Sequence, residues 1–259
     1  MADPSNASPS LAGKVALVTG GSRGLGAAIA AALADRGADV AITYAASAEK
    51  AEAVVAGLRA KGVRALAVKA DQSDLDVAKP LIDRVIDEFG RLDILVNNAG
   101  IAIQGQSVDD PTLDGAHYNR QWQVNVLGTI AVTRAAAPKL TDGGRIVFIG
   151  SRLGSVVPFP GVADYAGTKW ALAGYAKGIA RELGRRDITV NVVQPGIMPT
   201  DMAAEVAGEL PNREGILDMH PIRRIATLEE VADTVCFLAG PSAGYISGEQ
   251  INMAGGLGI

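Results

Sequence analysis

Short β-branched apolar runs alternate with longer Ala-rich stretches along most of this 259-residue chain. Parallel strands that are buried on both faces have such continuous apolar runs, and each is followed by a long crossover. The pattern predicts an α/β fold with a doubly wound, seven-stranded parallel sheet and helices on both faces. The predicted strands are 14–19, 39–43, 64–70, 92–97, 145–150, 188–193 and 249–253. The predicted helices are 24–36, 48–61, 74–89, 121–140, 163–184 and 228–239.

Composition indicates one large domain. Apolar residues make up 48% of the chain and charged residues 20%, which is enough apolar material for a sizeable core. We expect a single domain at 11–259, preceded by a flexible polar tail at 1–10. The segment 195–226 carries four prolines and is predicted to be a mobile lid over a site. The first residues lack the features of a secretory signal and no run is long enough to span a membrane, so we expect a cytoplasmic protein.

Charge and metal-binding residues exclude several function classes. The net charge is −4, and Lys and Arg form no basic run, so we expect no nucleic-acid partner and no membrane partner. Two histidines and one cysteine, without ligand spacing, predict no metal site and no internal disulfide. The cysteine, Cys236, lies in an apolar run and is predicted to be part of the core.

Glycines cluster where the first predicted strand ends, in VTGGSRGLG at 18–26. Gly20, Gly24 and Gly26 stand at a strand-to-helix turn, where missing side chains let backbone N–H groups and a helix N-terminus approach a phosphate. Their spacing differs from the G-x-G-x-x-G fingerprint of dinucleotide-binding folds. A packing turn is an alternative explanation, but this position in the first βα unit favours a pyrophosphate site.

A tyrosine and a lysine stand four positions apart in ADYAGTKWAL, at 163–172. Positions i and i+4 are neighbours on a helix, so Tyr165 and Lys169 share one face. Alone, the pair is also explained by an amphipathic helix whose tyrosine is half-buried and whose lysine reaches water. The rest of the chain decides between these interpretations.

The glycine spacing resembles the TGxxxGxG motif of the short-chain dehydrogenase/reductase family. Further motifs of that family follow in its order over about residues 11–258: NNAG at 97–100, QVNVLG at 123–128, a serine at 151, YAGTK at 165–169 and PGIMPT at 195–200. The resemblance implies a single-domain Rossmann fold and an oxidoreductase that uses a nicotinamide cofactor.

The resemblance also assigns roles to four residues. Tyr165 would give or take the proton at the substrate oxygen, and Lys169 would lower the pKa of its phenol and bind the nicotinamide ribose. Ser151 would polarise the substrate carbonyl, and Asn125 would hold a water in a proton relay. These roles suit the chemistry, since hydride transfer leaves charge on the substrate oxygen and a phenol with an ordinary pKa near 10 is a weak partner at neutral pH.

The end of the second predicted strand indicates which cofactor is used. An Asp or Glu there would bind the 2′-hydroxyl of NAD, but the sequence reads ITYAASAEK, with no carboxylate directly after the strand. Arg23 and Ser47 could instead hold a 2′-phosphate, which predicts NADP(H). As an alternative, Arg23 is an exposed loop charge and Ser47 a helix cap. The predicted cofactor-binding residues are Gly20, Ser22, Arg23, Gly24, Leu25, Gly26, Ala46, Ser47, Asp71, Gln72, Asn98, Ala99, Gly100, Tyr165, Lys169, Pro195, Gly196, Ile197 and Thr200.

The preferred hypothesis is an NADP(H)-dependent oxidoreductase that interconverts a ketone and a secondary alcohol on a small or medium-sized molecule. An alternative is a 3-oxoacyl-[acyl-carrier-protein] reductase. The resemblance makes it less favourable, because Ser151 and Tyr165 are fourteen positions apart, one more than in many bacterial reductases of that kind, and Arg152 and Trp170 depart from the common pattern. A further alternative is a Rossmann protein that senses a nucleotide without turnover. The resemblance, together with Ala- and Gly-rich helices at 121–140 and 163–184, predicts a homotetramer.

Overall fold

The computed structural model describes residues 11–202 and 213–258 of the chain. In that part, seven parallel strands form one sheet in the order β3-β2-β1-β4-β5-β6-β7. The strands are β1 (Val15–Val18), β2 (Asp39–Tyr44), β3 (Ala65–Lys69), β4 (Leu92–Asn97), β5 (Leu140–Ile149), β6 (Thr189–Pro195) and β7 (Gln250–Met253). The predicted fold class is confirmed, whereas the predicted tail at 1–10 lies outside the described residues.

Helices connect the strands and cover both faces of the sheet. They are α1 (Gly24–Asp35), α2 (Ala48–Ala60), α3 (Ala78–Phe89), α4 (Gly115–Trp122), α5 (Thr129–Ala136), α6 (Ala163–Leu183), α7 (Arg213–Asp218) and α8 (Leu228–Ala239). Local signals fix several of their ends. Asp114 accepts two backbone N–H groups at the start of α4, Thr227 and Glu230 form a capping box on α8, and Gly90 ends α3 with φ 80°.

The strands supply side chains to two hydrophobic clusters, one on each face of the sheet. Ala16 and Val18 of β1 pack with α1, α2 and α8, whereas Val15 and Leu17 pack with α3, α5 and α6. All four side chains are buried. Because both faces are covered, the strand sequences are apolar throughout rather than alternating.

The predicted helix at 121–140 is wrong in extent and in kind. The chain enters α4 six residues earlier, at Gly115, and forms a π-helical segment over Gln123–Gly128 before α5. A side chain at Gly128 would collide with the carbonyl of Gln72, which packs directly against this segment. The wider π turn is a local adjustment that a 3.6-residue apolar period does not reveal.

Two further boundaries differ from prediction. β5 begins at Leu140, five residues before the predicted start, because Leu140 pairs with Leu92 ahead of a register shift. The predicted lid at 195–226 begins inside β6, since Pro195 is the last residue of that strand, and it contains α7. Residues 203–212 of the lid lie outside the described residues.

The strand order places a topological switch point between β1 and β4, where successive crossovers diverge to opposite sides. Ligands of doubly wound sheets bind at the carboxyl ends of the strands beside such a point. The glycine-rich loop follows β1 and the NNAG stretch follows β4, so the topology brings these two motifs together.

Among the residues that the structure describes, no helix is both long enough and apolar enough to cross a membrane. These residues also contain no group of three or more His, Cys, Asp or Glu side chains that could hold a metal ion. Cys236 is buried in the core as predicted, and burial raises the pKa of its thiol to about 11.

Candidate active site

The glycine-rich loop turns sharply against the residues that follow β4. Gly20 has φ 66°, and a Cβ there would lie 2.9 Å from Cα of Ala99. A Cβ on Gly26 would collide with the carbonyl of Gly20, so the first turn of α1 packs on the loop itself. Glycine is therefore required at both positions, by conformation at the first and by close approach at the second. The side chain of Leu25 is buried in the core, which leaves only its backbone for a ligand.

A hydrogen-bond network holds this loop in place. The hydroxyl oxygen of Thr19 accepts the backbone N–H groups of Asn98 and Ala99, each at 3.0 Å. The Asn98 amide donates in return to the carbonyls of Thr19, at 2.9 Å, and Gly20, at 3.2 Å. Thr43 at the end of β2 accepts the N–H of Gly20 at 3.0 Å. Sequence reasoning missed Thr19 and Thr43, although the first lies inside the quoted glycine motif.

The end of β2 lies beside this loop and carries no carboxylate directly after Tyr44. Ala46 is exposed, and Ser47 precedes α2 without a side-chain capping bond. Arg23 is exposed as well, but it is not an isolated charge. Its guanidinium forms an ion pair with Asp201 at 3.1 Å, which connects the glycine loop to the start of the lid.

Asp71 and Gln72 follow β3 and differ in environment. Asp71 accepts hydrogen bonds from the backbone N–H and the hydroxyl of Ser73, and these bonds lower the pKa of its carboxyl. Gln72 is buried, and its amide donates to the Val124 carbonyl at 3.0 Å and the Thr129 hydroxyl at 2.9 Å. Gln72 thus braces the π-helical segment, a role that the sequence did not indicate.

Asn125 lies in the π-helical segment and is fully buried. Its amide oxygen accepts the Ile101 N–H at 2.8 Å, and its amide nitrogen donates to the Ile101 carbonyl at 2.9 Å and the Thr168 hydroxyl at 3.2 Å. One turn earlier, Gln121 accepts the N–H of Ile103 in the same way. The end of α4 and the π-helical segment therefore each present one side-chain amide to the loop after β4, and the amide of Asn125 also reaches α6.

Ser151 and Tyr165 meet at the carboxyl end of β5. Ser151 follows this strand, and its hydroxyl accepts the Leu153 N–H at 3.2 Å. Tyr165 lies in the first turn of α6 and is nine-tenths buried. Burial raises the pKa of the Tyr165 phenol, and side-chain hydrogen bonding with Ser151 acts in the opposite direction.

Lys169 lies one turn after Tyr165 and is also buried. Its ammonium donates to the Ile149 carbonyl at 3.0 Å and lies 5.8 Å from the centroid of the Tyr165 ring. Burial lowers the pKa of Lys169 to about 8. The expectation that Lys169 lowers the pKa of Tyr165 is wrong for the protein alone, because burial of the phenol dominates and the net pKa is raised.

The PGIMPT stretch connects β6 to the lid. The Gly196 N–H donates to the Met253 carbonyl at 3.0 Å, and a Cβ on Gly196 would lie 3.0 Å from Cα of Ala254. The Ile197 carbonyl accepts the N–H of Ala226 at 3.1 Å. A Cβ on Gly24 would lie 3.8 Å from the methyl group of Thr200. The stretch therefore passes over the glycine loop, as a cofactor-binding segment would.

The structure thus groups the predicted residues into two neighbouring sets. Gly20, Gly24, Gly26, Asn98 and Ala99 surround the loop after β1. The second set consists of Asn125, Ser151, Tyr165 and Lys169, at the ends of β4 and β5. Gly100 connects the sets, since a Cβ there would lie 3.1 Å from the Asn125 amide oxygen and 3.5 Å from the Lys169 ammonium.

Comparisons with known proteins agree with this geometry. A family model described as enoyl-(acyl carrier protein) reductase, of the short-chain dehydrogenase type, matches residues 20–258. Versicolorin reductase of Emericella nidulans is 41% identical over 256 residues, covering 95% of this chain and 96% of that protein. The 3-oxoacyl-[acyl-carrier-protein] reductase of Staphylococcus aureus is 40% identical over 246 residues, covering 94% and 98% respectively.

Solved structures also resemble the chain, both in sequence and in fold. A short-chain dehydrogenase from Burkholderia cenocepacia J2315, solved in complex with NADP, superposes with a TM-score of 0.90 at 47% identity, covering 96% of this chain and all of that one. The sheet order, the two neighbouring residue sets and these matches agree. The chain belongs to the short-chain dehydrogenase/reductase family.

Proposed function

We propose that this chain is an NADP(H)-dependent ketoreductase, which interconverts a ketone and a secondary alcohol on a small or medium-sized molecule. The observation that carries the proposal is the cluster of the buried Asn125, Tyr165 and Lys169 with the half-buried Ser151. Every functional group that the family chemistry uses is present. Two of them, Tyr165 and Lys169, have pKa values shifted by burial, as is common at catalytic sites.

The residues around the glycine loop fit a nicotinamide dinucleotide. Gly100 leaves open the space beside Asn125 and Lys169 that a side chain would fill. The loop presents backbone N–H groups at the start of α1, where a pyrophosphate is favoured. When bound, NADPH supplies the hydride. The 2′-phosphate falls to Arg23 and Ser47, since no carboxylate directly follows β2 to repel it.

The chain's own residues supply the proton and hold the substrate. Tyr165 donates its proton to the substrate oxygen in reduction and accepts it in oxidation. Ser151 donates a hydrogen bond to the same oxygen, which orients the carbonyl. Lys169 stabilises the phenolate that forms, because its charge lies on the same helix face. Asn125 holds the backbone of Ile101 beside them and supports a proton-relay water.

The charge composition of the sequence supports a free small molecule over a carrier-bound thioester. A carrier protein with an acidic docking surface would require a basic patch on the reductase, and this chain has a net charge of −4 without a basic run. Arg152, next to the catalytic serine, is already bonded to the carbonyls of Leu257 and Gly258 at 2.8 and 3.2 Å. The versicolorin reductase match adds support for a cyclic, polyketide-like ketone.

A panel of ketones tests this function. We would measure kcat/KM with NADPH for cyclic and aromatic ketones, a 3-oxoacyl pantetheine thioester and the same acyl group on a carrier protein. Faster turnover of the free ketones supports the proposal. Faster turnover of the carrier-bound substrate would favour the fatty-acid alternative. Tight NADPH binding without turnover of any compound would favour the nucleotide-sensing alternative.

We also propose a homotetramer with two-fold axes and a cytoplasmic location. Large apolar side chains are exposed at Leu127 beside α5, Trp170 on α6, Phe237 on α8 and Tyr245 before β7. In the proposed assembly these side chains would lie at contact surfaces, and β7 is an edge of the sheet that could meet a second copy. A cytoplasmic location suits the single reduced cysteine and the use of NADPH. Light scattering at micromolar concentration and cell fractionation test the two points, and a monomer throughout would contradict the assembly.

A further inference from the structure

Helices α4 and α6 are joined by a hydrogen bond between two half-buried side chains. The indole N–H of Trp122, the last residue of α4, donates to the carboxylate of Asp164 at 2.6 Å. Asp164 is the second residue of α6. The indole also packs on Gly167, where a Cβ would lie 3.0 Å from Cζ2 and 3.1 Å from Cη2 of the ring. Trp122 therefore lies across the first turn of α6.

This contact lies close in sequence to a proposed catalytic residue on α6 and to another in the π-helical segment that follows α4. Asp164 immediately precedes Tyr165, and Trp122 stands three residues before Asn125. A second link lies on the other side of Tyr165, where Thr168 accepts a hydrogen bond from Asn125 at 3.2 Å and donates to the Tyr165 carbonyl at 2.8 Å. The turn that carries the phenol is thus held from both sides.

We propose that Trp122 and Asp164 are a positioning pair that fixes the Tyr165 phenol against Ser151 and Asn125. The inference rests on the proposed function, since it assigns these two residues to the same reaction. A bond from an indole to a carboxylate is directional and charge-assisted, so it sets the rotation of the first turn of α6. General packing would set only the distance between the helices.

The reaction is sensitive to such a rotation. Proton transfer needs hydrogen-bond reach, and a misplacement of about 1 Å can cost about a hundredfold in rate. Most of the residues predicted to bind the cofactor lie in the loops after β1, β2, β3, β4 and β6 and not in the first turn of α6. Loss of the pair should therefore lower kcat while the KM for NADPH stays unchanged.

The test compares variants of the full-length protein on a ketone that the wild type reduces. Trp122→Phe removes the N–H together with the outer ring atoms that pack on Gly167, whereas Asp164→Leu removes only the acceptor and leaves the indole in place. Both should lower kcat about tenfold or more, with the NADPH KM within about twofold. Asp164→Asn retains an acceptor oxygen and should restore kcat to within about threefold of wild type. Tyr118→Phe is the matched control, because it removes the polar group of another aromatic side chain on α4, the hydroxyl that accepts the Gln106 N–H, and it should change kcat by less than about twofold.

A titration gives a readout that does not require turnover. The phenol absorbance of each variant, referenced to Tyr165→Phe, reports the pKa of Tyr165. A misplaced phenol loses its bonding with Ser151, so this pKa should rise in Trp122→Phe and Asp164→Leu and return in Asp164→Asn.

Each outcome decides the proposal. If kcat and the Tyr165 titration of Trp122→Phe match those of the wild type, the inference is wrong. It is equally wrong if Asp164→Asn loses as much activity as Asp164→Leu, since charge or packing would then explain the effect. If Asp164→Leu does not fold, Asp164→Ala replaces it. Failure of the wild type on every ketone would overturn the proposed function instead, and the titration would still test the pair.

Discussion

The site has a nucleotide end, around the glycine loop, and a catalytic end, around Tyr165 and Lys169. The two ends differ in what they contribute to the stability of the fold. Around the glycine loop, Thr19, Thr43 and Asn98 satisfy backbone groups and one another, so the shape is complete without a ligand. At the catalytic end, Tyr165 and Lys169 are buried and their pKa values move away from ordinary ones. The first arrangement stabilises the fold, whereas the second costs stability and provides reactivity.

This difference predicts which substitutions alter the reaction rate, the stability or the choice of cofactor. Substitutions at the catalytic end should have large effects on rate and small or even favourable effects on stability. Substitutions on the exposed rim of the nucleotide end, where Arg23 lies, should change cofactor choice by modest factors, because water screens exposed charges.

The largest effect is expected for Tyr165→Phe. The change removes the proton donor and leaves the buried ring in place, so kcat should fall about a thousandfold. The dissociation constant of NADPH, measured by quenching of protein fluorescence, should stay within about twofold, because the glycine loop is untouched. A Tyr165→Phe variant that retains a tenth of the wild-type kcat on a verified substrate would contradict the role of Tyr165 as the proton donor.

Lys169→Met should lower activity and raise stability together. Burial lowers the pKa of Lys169 from 10.5 to about 8, so between these values the unfolded chain binds more protons than the folded one. Wild-type stability should therefore rise with pH across this window, and the cost of the buried ammonium is complete below pH 8. The two pKa values correspond to about 3 kcal/mol, which Lys169→Met should regain in part at pH 7, less the lost bond to Ile149.

Urea unfolding of the protein without cofactor measures this prediction at pH 7 and pH 10. The advantage of Lys169→Met should shrink at the higher pH as the wild-type lysine loses its proton. Lys177→Met, on the exposed face of the same helix, is the control and should show neither effect. A difference between Lys169→Met and wild type that is the same at both pH values would contradict the cost assigned to the buried ammonium.

The fold and the family motifs were predictable because they depend on short-range patterns. Continuous apolar strands and glycine spacing are visible in the sequence, and six of the seven strands were placed closely. The π-helical segment around Asn125 was not predictable, because its wider turn arises from packing against Gln72 and Ile101. The same limit applies to the brace by Gln72, a residue that sequence reasoning assigned to cofactor binding alone.

Electrostatics were the least predictable part of the site. The sequence places Lys169 one turn from Tyr165, and from this a lowered phenol pKa was expected. Burial of both groups reverses the direction for Tyr165, and burial depends on the whole fold. The ion pair between Arg23 and Asp201 was likewise hidden, since 178 positions separate the two residues.

Arg23→Ala tests whether the nucleotide end of the site selects NADPH over NADH. Loss of a charge-assisted bond to the 2′-phosphate, worth roughly 1.5 to 3 kcal/mol, should reduce the preference for NADPH over NADH about ten- to hundredfold. The kinetics with NADH should change little, because NADH lacks this phosphate. The measurement is kcat/KM for both cofactors at one salt concentration. Comparable values for NADPH and NADH in the wild type would already contradict the role of Arg23.

Asp201→Asn should have the smallest effect of these substitutions. It should increase the preference for NADPH over NADH, whereas Arg23→Ala should reduce it. The Asp201 carboxylate pairs with Arg23 at 3.1 Å, and both side chains are more than half exposed, at 59% and 54%. With the proposed role of Arg23, this carboxylate would compete with the 2′-phosphate for the guanidinium. Exposed ion pairs contribute about 0.2 to 1 kcal/mol, so the KM for NADPH should fall by at most about fivefold while that for NADH stays constant. The gain should shrink at high salt, and it should vanish in the Arg23→Ala background, because the competition requires Arg23. A gain that persists without Arg23 would mean that Asp201 acts on the phosphate directly.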